Sequence, residues 1–301
     1  MYNIKMILLI GATGFLGPSV LKKLLETDYE VNCLVRTDSD RYGLLDIAKS
    51  EGKKILFSSG TLQSPDSIIL ALKKADSVIY MVDLEYTDLL ENFLGAASRS
   101  AIKRAIFISS TTVLIPQKSM VKNQKINSER LITSSGLDYT ILRPTMIYGS
   151  KDDNNFSKMI SFIKKRGFFL VFGNGNNLIQ PIYIEDVADS ITRTIDNKKT
   201  YGKIYDIAGK DSLKYRDMLG IVRNKLKKHF WIIRLPLKFS KFLISVYAKI
   251  SGNPSLTPGQ IERMGIDKMY SYQKAADDFH FSPLRFEDGI EKLIKELDVK
   301  D

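Results

Sequence analysis

Three glycines follow an apolar stretch near the start of the chain, and their spacing suits contact with a pyrophosphate. Met6–Ile10 has the composition of a buried strand, and the glycines follow it at intervals of three residues. Glycine permits a positive φ and a close approach of bare backbone, so that amide N–H groups can point at phosphate oxygens. Pro18 suits the first position of a helix, whose dipole adds attraction for an anion. We therefore predict a dinucleotide loop that contains Gly11, Thr13, Gly14, Phe15, Leu16 and Gly17.

The elements that must position this loop are six apolar runs with helical stretches between them. Most of the runs are apolar throughout, which is typical of parallel strands covered by helices on both faces. The pattern predicts an α/β chain with a Rossmann-type, doubly wound parallel sheet. The predicted strands are Met6–Ile10, Glu30–Val35, Lys54–Phe57, Ser77–Val82, Arg104–Ser109 and Asp138–Leu142.

Four segments follow the carboxyl ends of these strands, where ligands of such sheets lie. They are Gly11–Gly17, Arg36–Arg41, Asp83–Tyr86 and Ser109–Thr112. After Gly149 the sequence changes to loops and amphipathic helices. We predict a dinucleotide-binding domain over residues 1–150, to which 181–207 return. Residues 151–180 and 208–301 are predicted to form a smaller C-terminal substrate-binding region.

The composition favours an anionic partner. Lys and Arg number 45 against 34 Asp and Glu, which gives a net charge of +11. Such a balance suits dinucleotides, nucleotide sugars or acidic lipid surfaces, although the lysines could also serve only solubility. No nucleic-acid-binding motif is present, so we expect no nucleic acid partner. With two histidines in the chain, neither a metal site nor a serine-histidine triad is expected.

The compartment is predicted from cysteine usage and from apolar segments. Cys33 is the one cysteine and cannot form an internal disulfide. The opening apolar run is too short for a signal peptide, and we find no run long enough to span a bilayer. The expected location is the cytoplasm.

Four stretches, taken together, resemble the short-chain dehydrogenase/reductase superfamily in its extended or atypical branch. Their order and spacing match nucleotide-sugar epimerases and reductases across most of the chain. The resemblance implies NAD(P) binding and hydride transfer, with Pro144 in the cofactor site. The stretches are Gly11–Gly17, Phe107–Thr111, Leu142–Gly149 and Pro181–Ala188.

One feature of that family is missing. Its members do their proton chemistry with a tyrosine and a lysine four residues later, on the helix between strands five and six. Aligning Glu129 with the family's glutamate puts Lys125 on the lysine and Val121 on the tyrosine. The resemblance implies that Lys125 still binds the nicotinamide ribose hydroxyls. The alternative is an exposed lysine that forms a weak helix pair with Glu129.

The loss of the tyrosine moves the sequence toward atypical members of the superfamily. These include the accessory NAD(P)-binding subunit of respiratory complex I, NmrA-type redox-sensing regulators and isoflavone-reductase-like enzymes. Some of these proteins are catalytic without the tyrosine, and some are not.

Arg36, at the end of the second predicted strand, indicates the form of the cofactor. NAD-selective folds usually have a carboxylate at this position, which binds the adenosine ribose. A guanidinium instead suits a 2′-phosphate through charge-assisted hydrogen bonds. We therefore predict NADP, with NAD as the alternative. Arg36 could also simply face solvent.

If the protein is an enzyme, another group must replace the missing phenol. Ser110 or Thr111 is predicted to polarise the substrate oxygen while Tyr86 or a bound water supplies the proton. The alternative for Tyr86 is simple packing. Tyr148 and Tyr183 fall in family motifs that face the substrate, so the resemblance implies that they bind it.

A basic and apolar stretch suggests contact with a membrane surface. In residues 225–250, cations alternate with Phe, Trp, Tyr, Leu and Ile. Helices that lie on bilayers use this mixture, because the apolar side chains insert while lysines meet anionic headgroups. A substrate-domain helix packed on its own core is the alternative.

The predicted function is that of an NADP-binding oxidoreductase of the sugar epimerase, dehydratase or reductase type. Its substrate would be a nucleotide-linked or lipid-linked sugar, or a similar hydroxyl compound. The alternative is an NAD(P)-binding sensor or assembly protein that does not turn the cofactor over. Val121 is the residue that favours the alternative.

Overall fold

The computed structural model describes residues 4–240 and 263–298, and these fall into two compact units. The first unit consists of residues 4–145, 184–207 and 271–282. The second consists of 146–183, 208–240, 263–270 and 283–298. Residues 271–282, which the sequence-based division assigned to the C-terminal region, therefore group with the first unit.

Thirteen strands and ten α-helices are defined within the described residues. The strands are β1 (Met6–Ile10), β2 (Glu30–Val35), β3 (Leu56–Ser59), β4 (Ser77–Tyr80), β5 (Arg104–Ile108), β6 (Asp138–Pro144), β7 (Ile147–Tyr148), β8 (Phe168–Phe172), β9 (Leu178–Ile179), β10 (Ile182–Tyr183), β11 (Lys203–Ile207), β12 (Leu213–Lys214) and β13 (Trp231–Leu235). The helices are α1 (Gly17–Leu25), α2 (Tyr42–Ser50), α3 (Pro65–Leu72), α4 (Thr87–Ser98), α5 (Met120–Thr133), α6 (Phe156–Arg166), α7 (Ile184–Thr194), α8 (Tyr215–Leu226), α9 (Gln273–Phe279) and α10 (Phe286–Asp298).

The first unit is built on a seven-stranded parallel sheet with the order β11-β6-β5-β4-β1-β2-β3. Strand β1 lies between β2 and β4, so the chain reverses its direction of travel across the sheet after β3. In such sheets a crevice for ligands opens at this point, beyond the carboxyl ends of the strands. The predicted α/β fold with a doubly wound parallel sheet is confirmed.

Two groups of helices pack in the first unit, as a doubly wound sheet requires. Helix α1 packs against α2 and α7, whereas α4 packs against α3 and α5. Three aromatic rings lie at the centre of the core beneath α4, with centroids 5.2–6.0 Å apart. These rings belong to Tyr80, Phe93 and Phe107, all of which are buried.

All six predicted strands exist, but their ends differ from the predictions. β3 begins two residues later than predicted, at Leu56, and β4 ends two residues earlier, at Tyr80. β6 continues two residues further, to Pro144, because it keeps pairing with β11 from Thr140 to Pro144. Apolar runs identify a strand by its buried residues, whereas its ends depend on the neighbouring strand.

The second unit contains α6, α8 and α10 around a separate apolar core, together with three two-stranded sheets. One of these sheets corrects the expectation of a surface helix in residues 225–250. Trp231–Leu235 is a strand that pairs in parallel with Phe168–Phe172, because this pairing packs Ile232 against the core. Residues 241–250 of the predicted segment lie outside the described residues. None of the described helices combines the length and apolar character needed to cross a bilayer.

Candidate functional site

The glycine loop of the first unit has a backbone that requires glycine at two positions. Gly11 has a φ of +89°, which L-residues with side chains rarely adopt. A Cβ atom on Gly17 would stand 1.9 Å from the carbonyl oxygen of Ala12, far inside van der Waals contact. Two consecutive turns close the loop, since the Gly14 N–H donates to Gly11 O and the Gly17 N–H donates to Gly14 O. The loop is therefore a compact bend that brings main chain to its surface.

The start of α1 is open to an anion. Leu16 precedes the helix and provides no side-chain cap, and the first turn contains no acidic residue. The N–H groups of a first helical turn have no partner within the helix, and they carry the positive end of its dipole. The loop residues before it that are exposed are Thr13, Gly14 and Phe15. This geometry fits the pyrophosphate of a dinucleotide.

Arg36 and Arg41 follow β2, where the adenosine end of a dinucleotide lies in folds of this kind. The Arg36 side chain is largely exposed, and its Nε lies 3.6 Å from Asp38. Arg41 is held more firmly, because it donates to Ser59 at 3.0 Å and stacks on the Phe57 ring. The placement leaves Arg36 able to reach a phosphate from solvent, and its role stays a prediction.

Lys125 lies on the inner face of α5 and is buried. Its Nζ donates to Asp83 Oδ1, in the segment that follows β4. The alternative of an exposed lysine paired with Glu129 is therefore wrong, because Lys125 faces the sheet and Glu129 has other partners. Val121 lies one turn earlier on α5 and is partly exposed, with no hydroxyl to offer.

Glu129 lies at the centre of a buried polar network. It accepts hydrogen bonds from Ser109 Oγ at 2.6 Å and from Arg143 Nε at 2.9 Å. Arg143 also approaches Asp206 Oδ1 at 3.6 Å. Burial acts to lower the pKa of Arg143, but hydrogen bonding and the charge of Glu129 outweigh it, so the pKa is raised and the guanidinium stays charged. Burial raises the pKa of Asp206.

The sequence motifs contain the members of this network, but nothing in them shows that they meet. The signal that could have indicated it is a charged residue inside an apolar strand, at Arg143, together with an acidic residue on the inward face of α5. The network joins α5 to the ends of β5 and β6, and so it fixes the helix that presents Lys125.

The hydroxyl residues after β5 differ in accessibility. Thr111 is buried, and its hydroxyl donates to the carbonyl of Pro144 at 3.4 Å. Ser110 is partly exposed, and its hydroxyl shares a hydrogen bond with that of Thr112 at 2.9 Å. Of the two residues predicted to touch the substrate, Ser110 is therefore the one with a surface to present. Pro144 ends β6 and is itself buried.

Tyr86 occupies the position just before α4 and is half-exposed. It belongs to the segment Asp83–Tyr86, which also supplies the carboxylate partner of Lys125. Its exposure argues against the alternative that it packs in a core.

Tyr148 and Tyr183 are both buried in the core of the second unit, which differs from the prediction that they contact substrate. Their rings meet edge to face with centroids 5.6 Å apart, and the Tyr148 hydroxyl donates to the carbonyl of Phe286. A Cβ on Gly289 would come within 2.2 Å of the Tyr148 hydroxyl, and one on Gly149 would overlap the Tyr183 ring. The two tyrosines therefore serve core packing, because their rings fill the space that Gly149 and Gly289 leave.

The second unit contains a cavity of about 660 Å³, a volume in the range of ligand pockets. Two cations, Arg263 and Lys268, line it, and no ion pair joins either to an acidic residue within the described part of the chain. Burial, reinforced by the charge of Arg263, lowers the pKa of Lys268. The other lining residues are apolar or neutral: Met146, Asn154, Asn155, Phe156, Met159, Phe169, Leu170, Val171, Phe172, Asn177, Ile179, Tyr215, Met218 and Met264.

The comparison with known families covers most of the first unit and part of the second. A family profile described as NAD(P)H-binding matches residues 11–198, which include the glycine loop, Lys125, Glu129 and Arg143. The chain belongs to the NAD(P)H-binding family. The predicted membership in the atypical branch of the short-chain dehydrogenases is confirmed. Among the described residues, no group of three or more His, Cys, Asp or Glu side chains could hold a metal ion.

Individual members of the family that the chain resembles differ in function. The chain is 25% identical over 77% of its own length to mitochondrial NADH dehydrogenase [ubiquinone] 1 alpha subcomplex subunit 9 of Arabidopsis thaliana, and it spans 60% of that protein. It is 21% identical to N-acetyl-alpha-D-glucosaminyl-diphospho-ditrans,octacis-undecaprenol 4-epimerase of Escherichia coli, with 96% and 94% of the two chains covered. UDP-glucuronic acid 4-epimerase of Bacillus cereus, solved with UDP-glucuronic acid and NAD, superposes with a TM-score of 0.75 at 18% identity, covering 98% and 100% of the chains. That last likeness concerns the fold.

Proposed function

We propose that this member of the NAD(P)H-binding family binds NADP and transfers hydride at a hydroxyl of a sugar that is linked through phosphate to a nucleotide or a lipid. The observation that carries the proposal is the combination of two sites in one chain. The first unit has a glycine bend whose geometry suits a pyrophosphate, and the second has a cavity lined by two cations that no ion pair joins to an acidic residue among the described residues.

The residues present fit a dinucleotide. The loop from Gly11 to Gly17 and the first turn of α1 would hold the pyrophosphate through main-chain N–H groups. Arg36 would bind the 2′-phosphate and Lys125 the nicotinamide ribose hydroxyls, beside Pro144. An ammonium has three donors, and Lys125 gives one of them to Asp83, so two stay available for ribose. The bound nicotinamide would supply the hydride acceptor and donor.

The protonation chemistry falls to Ser110 and Tyr86. Ser110 Oγ would donate a hydrogen bond to the substrate oxygen, and the Tyr86 hydroxyl or a water would supply or take the proton as the oxygen changes charge. Thr111 is the weaker candidate, because its hydroxyl is directed to a backbone carbonyl. Asp83 would hold the Lys125 ammonium in place. Val121 stands at the position of the family's tyrosine and has no hydroxyl that could do so.

The chemistry of the cavity favours a phosphate-linked substrate. Arg263 and Lys268 offer positive charge to a diphosphate, and the neighbouring asparagines offer donors and acceptors to a sugar or base. The epimerase from Escherichia coli that resembles this chain over nearly its full length is named for a diphosphate-linked sugar on a polyprenol. Both observations support the choice of substrate class.

A second candidate function is binding of the dinucleotide without turnover, as in a sensor or an assembly subunit. The observation that favours it is Val121 in the position of the catalytic phenol, together with a Lys125 that is already paired with Asp83. The similarity to a subunit of mitochondrial NADH dehydrogenase is consistent with this alternative.

The two functions are separated by comparing binding with turnover in the same preparation. We would titrate NADP and NAD by calorimetry, and then add nucleotide sugars and polyprenyl-diphosphate sugars. Cofactor absorbance reports net oxidation or reduction, and chromatography of the sugar reports epimerisation, which leaves no net redox change. Turnover that falls at least tenfold in Ser110→Ala and in Tyr86→Phe supports the proposal. Binding without any product across the panel would establish the second candidate.

The cofactor preference has its own test in Arg36. Arg36→Gln should weaken NADP by about tenfold, since one charge-assisted contact to the 2′-phosphate is lost, and should leave NAD within about twofold. Arg99→Gln, which changes an exposed arginine after α4, is the matched control. Equal losses for both cofactors would exclude Arg36 from the 2′-phosphate.

A further inference from the structure

One face of the second unit is built mainly from two sequence stretches that are basic and contain no acidic residue. No Asp or Glu occurs between Asp153 and Glu185, and none between Asp217 and Glu262. These two stretches supply α6 and β8 on one side and β13 on the other. The pairing of β8 with β13 therefore joins two segments that carry cations but no anions of their own.

The same face carries exposed aromatic and aliphatic side chains. Trp231 and Ile233 alternate on β13, so they share one side of the strand, and Trp231 lies opposite Phe168 of β8. The Phe168 ring meets Phe162 of α6 at 5.4 Å between centroids. Trp231 is 71% exposed, Ile233 43% and Phe162 39%. We call this set, Phe162, Phe168, Trp231 and Ile233, the aromatic face.

Cations border the aromatic face at positions set by helix geometry. Three cations of α6 lie on the same side of the helix as Phe162. Lys158 precedes Phe162 by four residues, and Lys165 and Arg166 follow it by three and four. All three are exposed. Lys228 reaches over the end of α6, where its Nζ donates to the carbonyl of Lys164 at 2.6 Å. Lys164 itself is paired with Asp298 of α10.

We propose that the aromatic face docks on the surface of an anionic lipid bilayer, with Trp231, Ile233 and Phe162 inserted at the headgroup boundary. Exposed Trp and Ile side chains gain free energy when they leave water for an apolar medium. The interior of a bilayer offers such a medium, and a nucleic acid does not. The bordering cations would meet anionic headgroups. The geometry differs from the surface helix expected from sequence, because a strand and its neighbour form the contact. The proposal does not depend on whether the chain turns over a substrate.

The test uses the full chain and its single tryptophan, Trp231. Vesicles of phosphatidylcholine alone and with 30% phosphatidylglycerol, a composition on the order of natural anionic membranes, are added while tryptophan emission is recorded. With anionic vesicles, emission should shift to the blue, brominated lipids should quench it, and the protein should sediment with the vesicles. Binding should fall steeply with added salt, because headgroup attraction is screened.

The charge component is tested by Lys158→Gln/Lys165→Gln/Arg166→Gln. Each cation near a membrane surface is worth about a fivefold change in partitioning, so the triple variant should bind about a hundredfold more weakly. The control removes three exposed lysines of the first unit, in Lys49→Gln/Lys73→Gln/Lys74→Gln, with the same change in net charge. It should lose less than about threefold, because net charge alone acts only at long range.

The apolar component is tested by Phe162→Ser/Ile233→Ser against Leu45→Ser/Leu56→Ser, in which similarly exposed apolar residues of the first unit are changed. The former should lose about tenfold or more in partitioning, and the latter almost none. An unchanged circular dichroism spectrum and melting temperature in every variant shows that the fold is retained. Equal binding to neutral and anionic vesicles, unchanged tryptophan emission, or equal losses in the matched pairs would each overturn the proposal. Retention on heparin without vesicle binding would assign the face to a polyanion instead.

Discussion

The most informative perturbation of the first unit is the removal of Glu129. In Glu129→Ala, Ser109 and Arg143 lose their acceptor, and Arg143 is left with Asp206 at 3.6 Å. Breaking a buried ion pair by removing one partner costs about 3–5 kcal/mol, because the other charge stays desolvated. At about 2–4 °C per kcal/mol for a domain of this size, the melting temperature should fall by roughly 6–20 °C.

The double variant Glu129→Ala/Arg143→Ala separates the pair from its surroundings. Because the second change removes the stranded charge, the double variant should lose less free energy of unfolding than the two single variants lose together, by about 2–3 kcal/mol. Urea denaturation followed by circular dichroism gives each free energy of unfolding. As a control, Glu26→Ala breaks the exposed pair with Lys23 and should change stability by less than about 0.5 kcal/mol.

The same variants report on function, because the network anchors the helix that carries Lys125. We expect Glu129→Ala to weaken dinucleotide binding more than Glu26→Ala does, at a temperature where both are folded. Strictly additive single effects in the double variant, or a Glu129→Ala protein as stable as the parent, would refute the account of a buried, mutually dependent pair.

Three further outcomes follow from the geometry. Gly17→Ala should lower dinucleotide affinity at least about tenfold, as measured by calorimetry, because the new Cβ overlaps the carbonyl oxygen of Ala12. Its control is Gly95→Ala, where the Cβ enters open space on α4. This variant should stabilise the protein by up to about 1 kcal/mol in thermal melts. Burial raises the pKa of the Cys33 thiol to about 12, so a thiol reagent at neutral pH should label Cys33 only when denaturant unfolds the chain. Above about pH 8.5 the unfolded thiol loses its proton while the folded one keeps it. The free energy of unfolding should therefore fall by about 1.4 kcal/mol per pH unit through this group. Cys33→Ala should remove this slope. If the slope persisted in Cys33→Ala, other groups would have to cause it.

The sequence by itself determined the parallel sheet and the glycine bend. Both depend on local signals, since uniformly apolar runs mark strands buried on two faces, and Gly11 and Gly17 are required by backbone geometry within a few residues. The loss of the family tyrosine at Val121 was equally readable, because it is a matter of residue type at a fixed spacing.

Only the tertiary structure decided which polar groups meet. Lys125 pairs with Asp83, 42 residues away, and Glu129 with Arg143 across a helix and a strand. Tyr148 and Tyr183 turned out to pack in a core, because two glycines leave the space for their rings. Trp231 came to a sheet face beside α6 because β13 pairs with β8. Sequence spacing encodes periodicity along one element, whereas these contacts depend on register between elements, which is set by the packing of the whole unit.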